Sequence, residues 1–388
     1  MRNHENKRQP RHGAILLLTL FLMVFMLTVV SLSIDIGYLL MARTQLQDSA
    51  DAAALAGACD LIDTGAVTGA SNMNTAISLA RTRAVQYAAS NRICGSAPTV
   101  DDNSSNSTSG DVVVGYLSNP SDQTQTMDLN KTSQANAVQV RVQRSSAQNG
   151  EVKLFFSRLF GANSKALQAT ATAALVNNFS GFQAPGDGSN LMMLPYAIQQ
   201  DTWNHMLSGS GSDQWAFNSV TQAVSRGNDG VREVNLFPQV TGAPGNSGTV
   251  DIGSPNNSTS DIARQIVYGM NASDLSYMPN GRVALNSQGT LNLNGDTGIS
   301  AGVKDELASI IGEPRIIPIF STVTGPGNNA TYTIVGFAGV RIMNVKLTGS
   351  MSSKELIIEP ANVTVKGGIP GTGPQYSNFV YSQVWLVR

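Results

Sequence analysis

The chain has 388 residues, which is enough to bury an ordinary core and to form two domains, or three at most. Only 13% of its residues are charged and its net charge is -1, while Gly, Ser, Thr and Asn are abundant. A surface that follows nucleic-acid phosphates needs clustered Lys and Arg. No dense basic stripe occurs beyond the first dozen residues, so we expect no nucleic-acid partner.

An apolar run without ionisable side chains extends from Gly13 to Ile34. As a helix it would be about 33 Å long, close to the roughly 30 Å of hydrocarbon in a bilayer. We therefore predict a transmembrane helix over residues 13–34 with membrane lipid as its partner. The side chains expected to anchor it are Ile15, Leu18, Phe21, Phe25 and Val29.

The charges on either side of this run predict its orientation. Arg2, Lys7, Arg8 and Arg11 precede it, whereas Asp35 closes it. By the positive-inside bias, residues 1–12 form a cytoplasmic tail and the bulk lies in the periplasm or otherwise outside the cytoplasm. The alternative is a cleaved secretory signal, whose apolar region normally spans only about 7–15 residues. The length favours an uncleaved single-pass anchor.

The helical pattern continues past Asp35 without proline to about Cys59. Small residues recur at spacings of three and four and permit close approach of another backbone. This face could pack under a sheet of the same chain, or it could contact a helix of a partner chain in a homo- or hetero-oligomer. The residues predicted to form it are Leu46, Ala50, Ala53 and Gly57.

A second amphipathic helix is predicted from about Ile77 to Asn91, folded back on the first. The two cysteines of the chain, Cys59 and Cys94, lie near the ends of these helices. In an oxidising compartment they could pair, which would stabilise the domain by about 3.8 kcal/mol in the chain-entropy model. The alternative is two free thiols that behave as small apolar residues. Their spacing does not suit a zinc site.

Several motifs in the first 60 residues resemble the N-terminal segment of TadE/TadG-like proteins of the Flp (Tad) pilus-assembly system. They are the basic-Gly-Ala start of the apolar run, Asp35-x-Gly37-Tyr38, Ala42-Arg43-Thr44-x-Leu46-Gln47, and the block Ala50 to Ala58. Weaker similarity follows at Asn136-Ala137-Val138-x-Val140, Leu154-Phe155-Phe156, Leu159-Phe160-Gly161 and Ala169-Thr170-Ala171.

This resemblance implies an inner-membrane protein with a periplasmic bulk that helps to build or anchor a pilus or a related secretion apparatus. It implies other pilus-assembly proteins or pilins as partners, and it brings no catalytic residue. Pilins of this system carry a Glu five residues after their processing point, where this chain has Leu18. The departure argues against cleavage by prepilin peptidase and favours a longer, anchored TadG-like role.

The remaining sequence predicts an α+β fold. Short strands are expected at 112–114, 137–142 and 152–156, then an Ala/Thr-rich element at 166–176. With the long helix packed on a small antiparallel sheet, residues 35–177 would form a pilin-like domain. Pro185-Gly186 and Asp187-Gly188 predict a linker over 178–190.

Residues 191–388 are expected to form a β-rich C-terminal domain outside the cytoplasm. Strand-like runs at 231–237, 315–323, 331–336, 340–347, 355–359 and 379–387 alternate with turns, and helices are predicted at 261–270 and 302–311.

No catalytic or metal-binding motif stands out. A serine-hydrolase elbow requires G-x-S-x-G, which is missing, and His205 is the sole histidine outside the N-terminal tail. We therefore expect no enzyme activity and no cofactor, and a structural or assembly protein that works through protein contacts. The alternatives are an anchored envelope adhesin or scaffold outside any pilus system, and a periplasmic hydrolase with a dispersed site.

Overall fold

The computed structural model describes residues 12–62, 66–68, 73–237, 247–253, 258–296, 299–325 and 329–388. The predicted cytoplasmic tail lies outside these residues, apart from its last residue, His12, which begins the first helix. The fold is α+β, as the sequence predicts. A long apolar helix stands at the N-terminus, and strands dominate the C-terminal region.

The first helix is continuous from the apolar run through the alanine-rich block Ala50 to Ala58, because no proline interrupts its 48 residues. The prediction of one helix ending at Cys59 is therefore confirmed. The helices are α1 (His12–Cys59), α2 (Met73–Ser90), α3 (Gln200–Leu207), α4 (Thr259–Tyr268), α5 (Ala272–Ser276) and α6 (Lys304–Ser309).

The strands are mostly short, with two long exceptions in the C-terminal region. In chain order they are β1 (Val112–Gly115), β2 (Ala137–Arg144), β3 (Val152–Lys153), β4 (Ser164–Lys165), β5 (Leu167–Ala174), β6 (Phe179–Gln183), β7 (Tyr196–Gln199), β8 (Trp215–Asn218), β9 (Ala223–Arg226), β10 (Val234–Asn235), β11 (Ser247–Val250), β12 (Arg282–Ala284), β13 (Leu291–Asp296), β14 (Pro314–Thr324), β15 (Ala330–Lys346), β16 (Glu355–Pro360), β17 (Val363–Val365), β18 (Gly368–Pro370), β19 (Ser377–Asn378), β20 (Val380–Ser382) and β21 (Trp385–Leu386). Strand β21 pairs antiparallel with the end of β5, Trp385 with Ala174 and Leu386 with Ala173.

The residues pack into two compact units that interleave along the sequence. The first comprises the described part of Met1–Ala56 with Arg81–Val113 and Gln139–Thr172. The second comprises the described parts of Gly57–Ala80, Val114–Val138 and Ala173–Arg388.

In the second unit, five strands close into a ring. The order β7, β11, β13, β15, β14 returns to β7, and every pairing is antiparallel except that of β14 with β7. Closure leaves these strands without free edges, which removes the hazard of edge-to-edge association. The two predicted strands at 331–336 and 340–347 are one strand, β15, which pairs with β14 from Thr331 to Arg341.

Two apolar clusters flank this ring of strands. One contains Phe320 and Tyr332, whose rings meet edge to face with centroids 4.9 Å apart. The other is covered by helical side chains such as Trp203, Ile266 and Leu307. The helix predicted at 261–270 is present as α4, and the Ser258 side chain caps its start by accepting the backbone N–H of Asp261.

The segment predicted as a linker over 178–190 contains a strand. Its first part is strand β6, which pairs with β12 and β18, and its Phe179 and Phe182 side chains are fully buried. The turn residues Pro185 to Gly188 favour a linker locally, but the apolar pair before them forms part of the core of the second unit. The strand predicted at 152–156 is also shorter, because only Val152–Lys153 pairs and a 3-10 helix (Ser157–Phe160) follows.

Candidate functional site at the anchor junction

The apolar part of α1 is exposed along its whole length. The five side chains predicted to anchor it are between 46% and 71% exposed in the structure. Its hydroxyl groups donate to its own carbonyl oxygens, for example Thr28 to Val24 at 2.9 Å and Ser31 to Leu27 at 2.7 Å. A helix surrounded by hydrocarbon must satisfy its polar groups internally in this way. This segment is the candidate membrane span among the described residues.

The environment of α1 changes abruptly at Asp35, which is 1% exposed. Its carboxylate accepts the backbone N–H of Phe155 at 2.8 Å, of Phe156 at 3.0 Å and of Ser157 at 2.6 Å. It also accepts the Ser157 hydroxyl at 2.7 Å. These N–H groups lie at the start of the 3-10 helix Ser157–Phe160, where a helix offers no acceptor of its own. Asp35 thus caps a helix about 120 residues away in sequence.

The pKa of Asp35, which lies just beyond the apolar run, reflects this arrangement. Burial alone would raise it, but the hydrogen bonds from the Ser157 hydroxyl and from the backbone N–H groups of Ser157, Phe155 and Phe156 outweigh burial. They lower the pKa of Asp35 from its ordinary 3.8 to about 2. The carboxylate is therefore ionised at any physiological pH.

One turn further along α1, Tyr38 adds a second contact to the same segment. Its ring meets the Phe155 ring edge to face, with centroids 5.1 Å apart and an angle of 69° between the planes. Such pairs stabilise by about 0.5–1.5 kcal/mol beyond burial. A hydrogen bond to the Cys94 thiol, together with burial, raises the pKa of Tyr38. We call Asp35, Tyr38 and Phe155–Ser157 the anchor junction.

The small-residue face of α1 is already occupied within the chain. Leu46, Ala50 and Ala53 are 0% exposed, and Gly57 is also buried. Beside them, the Ser49 hydroxyl donates to the carbonyl oxygen of Ala88 in α2 at 3.2 Å. These side chains therefore serve the fold, and a partner helix could reach them only if α1 were uncovered.

Cys59 and Cys94 are both free thiols in the structure, and their pairing in an oxidising compartment stays a prediction. The backbone N–H of Cys94 donates to Oε1 of Gln45 at 2.7 Å, which places Cys94 beside the C-terminal third of α1. Cys59 ends that helix, fourteen residues after Gln45, or about 21 Å along its axis.

The polar segment 101–110 is held by Arg81 of α2, a residue for which the sequence pattern predicts no special role. The guanidinium donates to the carbonyl oxygens of Asp102, Asn103 and Val112 at 2.7–2.9 Å and to Oδ1 of Asn106 at 2.6 Å. The side chain of Arg81 is nearly buried. Segment 101–110 is therefore folded around a buried cation, and no local sequence signal marks that role.

The described residues contain no group of three or more His, Cys, Asp or Glu side chains that could hold a metal ion. His205 is exposed on α3 next to the buried Trp203, whose Nε1 donates to Oδ1 of Asn378 at 3.3 Å. A cavity of about 390 Å³ in the second unit is lined in part by Met206, Ser208 and Arg232. The lining includes the hydroxyl groups of Thr68 and Ser208, but none of its described residues is a His, Asp, Glu, Cys or Lys that could activate a hydroxyl as general base.

Two family models match the N-terminal part of the chain. A Flp pilus-assembly TadE/G-like model matches residues 13–60, and a Tad-like Flp pilus-assembly model matches residues 56–173. The chain carries a TadE/G-like Flp pilus-assembly region. The resemblance inferred from the sequence is confirmed over 13–173. No significant match was found among curated proteins or among solved structures.

The Tad region contains the whole anchor junction. Asp35 and Tyr38 belong to the segment that matches the first model, and Phe155–Ser157 belong to the segment that matches the second. The hydrogen bonds of Asp35 therefore join the two matched segments. Both matches end by residue 173, so they do not include the strand ring of the second unit.

Proposed function

We propose that the chain is a structural or assembly component of a Tad (Flp) pilus or a related secretion apparatus, held in the inner membrane by α1. The observation that carries this proposal is the TadE/G-like match over a helix whose apolar part is exposed and whose next residue, Asp35, binds the folded unit. Residues 1–12 remain cytoplasmic, and the bulk of the chain lies in the periplasm.

The proposed role depends on surfaces rather than bond chemistry. Gln47 on α1 donates to the carbonyl oxygen of Thr170 in β5 at 3.4 Å, which supports a pilin-like plan of a helix against a small sheet. The partners would be other pilus-assembly proteins or pilins. Because the small-residue face of α1 is buried, these partners would contact exposed surfaces of the folded units.

Deletion of the gene followed by pilus counting tests the assembly role. We expect loss of surface pili, restored by the full chain but not by a chain whose residues 13–34 are replaced with a cleavable secretory signal. Unchanged pili with lost surface attachment would instead favour an anchored adhesin outside a pilus system. Unchanged pili and unchanged attachment would refute both roles.

A reporter comparison tests the proposed topology separately. Alkaline phosphatase fused after Arg388 should be active, and a fluorescent protein that matures only in the cytoplasm should be dark at the same position. The reverse pattern would place the bulk in the cytoplasm and would contradict the anchoring orientation.

A further inference from the structure

A short segment beside the anchor junction exposes three large apolar side chains. Phe155 is 51% exposed, Leu159 is 78% exposed and Phe160 is 70% exposed. They lie within six residues of sequence. Single exposed apolar residues are ordinary on a protein surface, but a cluster of this kind marks a contact with a protein or a membrane.

The position of this segment is fixed by the first residue after the candidate span. The backbone N–H groups of Phe155 and Ser157 lie within 2.8 Å of the Asp35 carboxylate, and the Phe155 ring meets Tyr38. The segment is therefore held at the level where the apolar run of α1 ends. With residues 13–34 across the hydrocarbon, this level is the lipid headgroup region.

The exposure of these side chains does not result from a loose loop. The N–H of Leu159 donates to the Phe156 carbonyl at 3.0 Å, and the N–H of Gly161 donates to the Arg158 carbonyl at 3.2 Å. Gly161 ends the turn at φ +88°, a left-handed conformation that glycine adopts without strain. Strands β3 and β4 pair on either side and close the stem. The apolar side chains are thus presented by a defined turn.

The charges around the turn suit an anionic lipid surface. Lys153, Arg158 and Lys165 are exposed, whereas Glu151 is the one acidic residue in 151–165 and its carboxylate accepts the Ser164 hydroxyl. Aromatic and apolar side chains with Lys and Arg around them are the composition of interfacial membrane contacts. Cations near the surface add attraction to anionic headgroups.

We propose that Phe155–Phe160 is a second membrane contact, a wedge whose Phe155, Leu159 and Phe160 side chains insert among the lipid headgroups beside α1. The proposal rests on the anchoring of α1 in the proposed function. The wedge and α1, joined through Asp35, give the first unit two attachment points on the bilayer. Two points fix the tilt of the unit about the helix, which a single helix does not.

Site-specific fluorescence on the full chain in vesicles of phosphatidylethanolamine and phosphatidylglycerol tests this contact. In a background with Cys59→Ser and Cys94→Ser, Leu159→Cys carries the environment-sensitive label NBD. A label at Thr108→Cys, exposed in the same unit, is the aqueous control, and a label at Phe25→Cys reports insertion of the span. Lipids with a nitroxide near the headgroup or deep in the acyl chain act as quenchers.

We expect the Leu159 label to be blue-shifted and quenched by headgroup nitroxides about twofold more strongly than the Thr108 label, with weaker quenching when phosphatidylglycerol is omitted. The Phe25 label should be quenched by the deep nitroxide. A Leu159 label that behaves like the Thr108 label while the Phe25 label is deeply quenched would overturn the wedge but not the anchor.

Two other outcomes are also decisive. A blue-shifted Leu159 label without lipid quenching would show that protein covers the turn, which also overturns the proposal. If the Phe25 label is not quenched, α1 is not in the membrane, and the proposed function fails together with the wedge.

Discussion

Replacement of Asp35 by asparagine tests the anchor junction directly. The carboxylate accepts three backbone N–H groups and one hydroxyl through its two oxygens. An asparagine offers one oxygen, and its NH₂ group would face donors instead of accepting from them. At least one N–H at the start of the 3-10 helix therefore loses its acceptor, and the remaining bonds lose their charge.

The expected effect is large enough to measure at the level of single peptides. Loss of one hydrogen bond to a charged group raises the equilibrium constant for local opening by about 10- to 100-fold. We expect amide hydrogen exchange in residues 154–161 to accelerate by about that factor in Asp35→Asn, while exchange in the second unit stays unchanged. Mass spectrometry of the full chain in bilayer discs gives the measurement.

Asp48→Asn is the matched control, because Asp48 lies on the same helix and is exposed. It should leave exchange at 154–161 as it is. Equal exchange in the Asp35 variant and the unaltered chain would refute the capping role. Since the pKa of Asp35 is lowered to about 2, its contribution is present above its ordinary pKa of 3.8 and is lost only as the pH falls through about 2. Protection, corrected for intrinsic rates, should therefore be constant from neutral pH to about pH 4.

Three further changes test the interior of each unit. Arg81→Met should lower the free energy of unfolding of the first unit by about 3 kcal/mol, because buried carbonyl acceptors are left unpaired. The measurement is the loss of amide exchange protection at residues 101–112. Unaltered protection there would contradict the proposed role of Arg81. Gly339→Ala should lower the free energy of unfolding by about 3 kcal/mol or prevent folding, because the new Cβ would lie 2.3 Å from the Ala361 carbonyl oxygen and 2.5 Å from that of Phe379. In the control Gly186→Ala, the new Cβ meets nothing within 4 Å, so the free energy of unfolding should change by less than about 0.5 kcal/mol. Similar thermal melting of the two variants would contradict this reasoning. Burial, with the nearby charge of Asp261, raises the pKa of Asp251 to about 6. The folded state therefore binds this proton more tightly than the unfolded state, and the free energy of unfolding should fall as the pH rises from about 4 to 6. In urea unfolding, Asp251→Asn should remove about 1 kcal/mol of that decline, and an unchanged pH profile would contradict the raised pKa.

The sequence alone predicted the features that depend on neighbouring residues. The apolar run 13–34 and the proline-free pattern to Cys59 predicted one continuous helix, which α1 confirms. The strands at 112–114, 137–142 and 355–359 were also predicted close to their observed bounds. Hydrophobic periodicity and composition are properties of neighbouring residues, so they predict a helix or strand without knowledge of the elements that pack against it.

Tertiary structure decided everything that depends on a distant partner. Asp35 could be assigned to the end of the span, but its role as a cap depends on N–H groups that follow about 120 residues later. Phe179 and Phe182 looked like part of a linker because the turn residues after them were the strongest local signal, whereas their burial depends on strands β12 and β18. Sequence spacing limits how far apart two residues can be, but only the packed chain determines which of them meet.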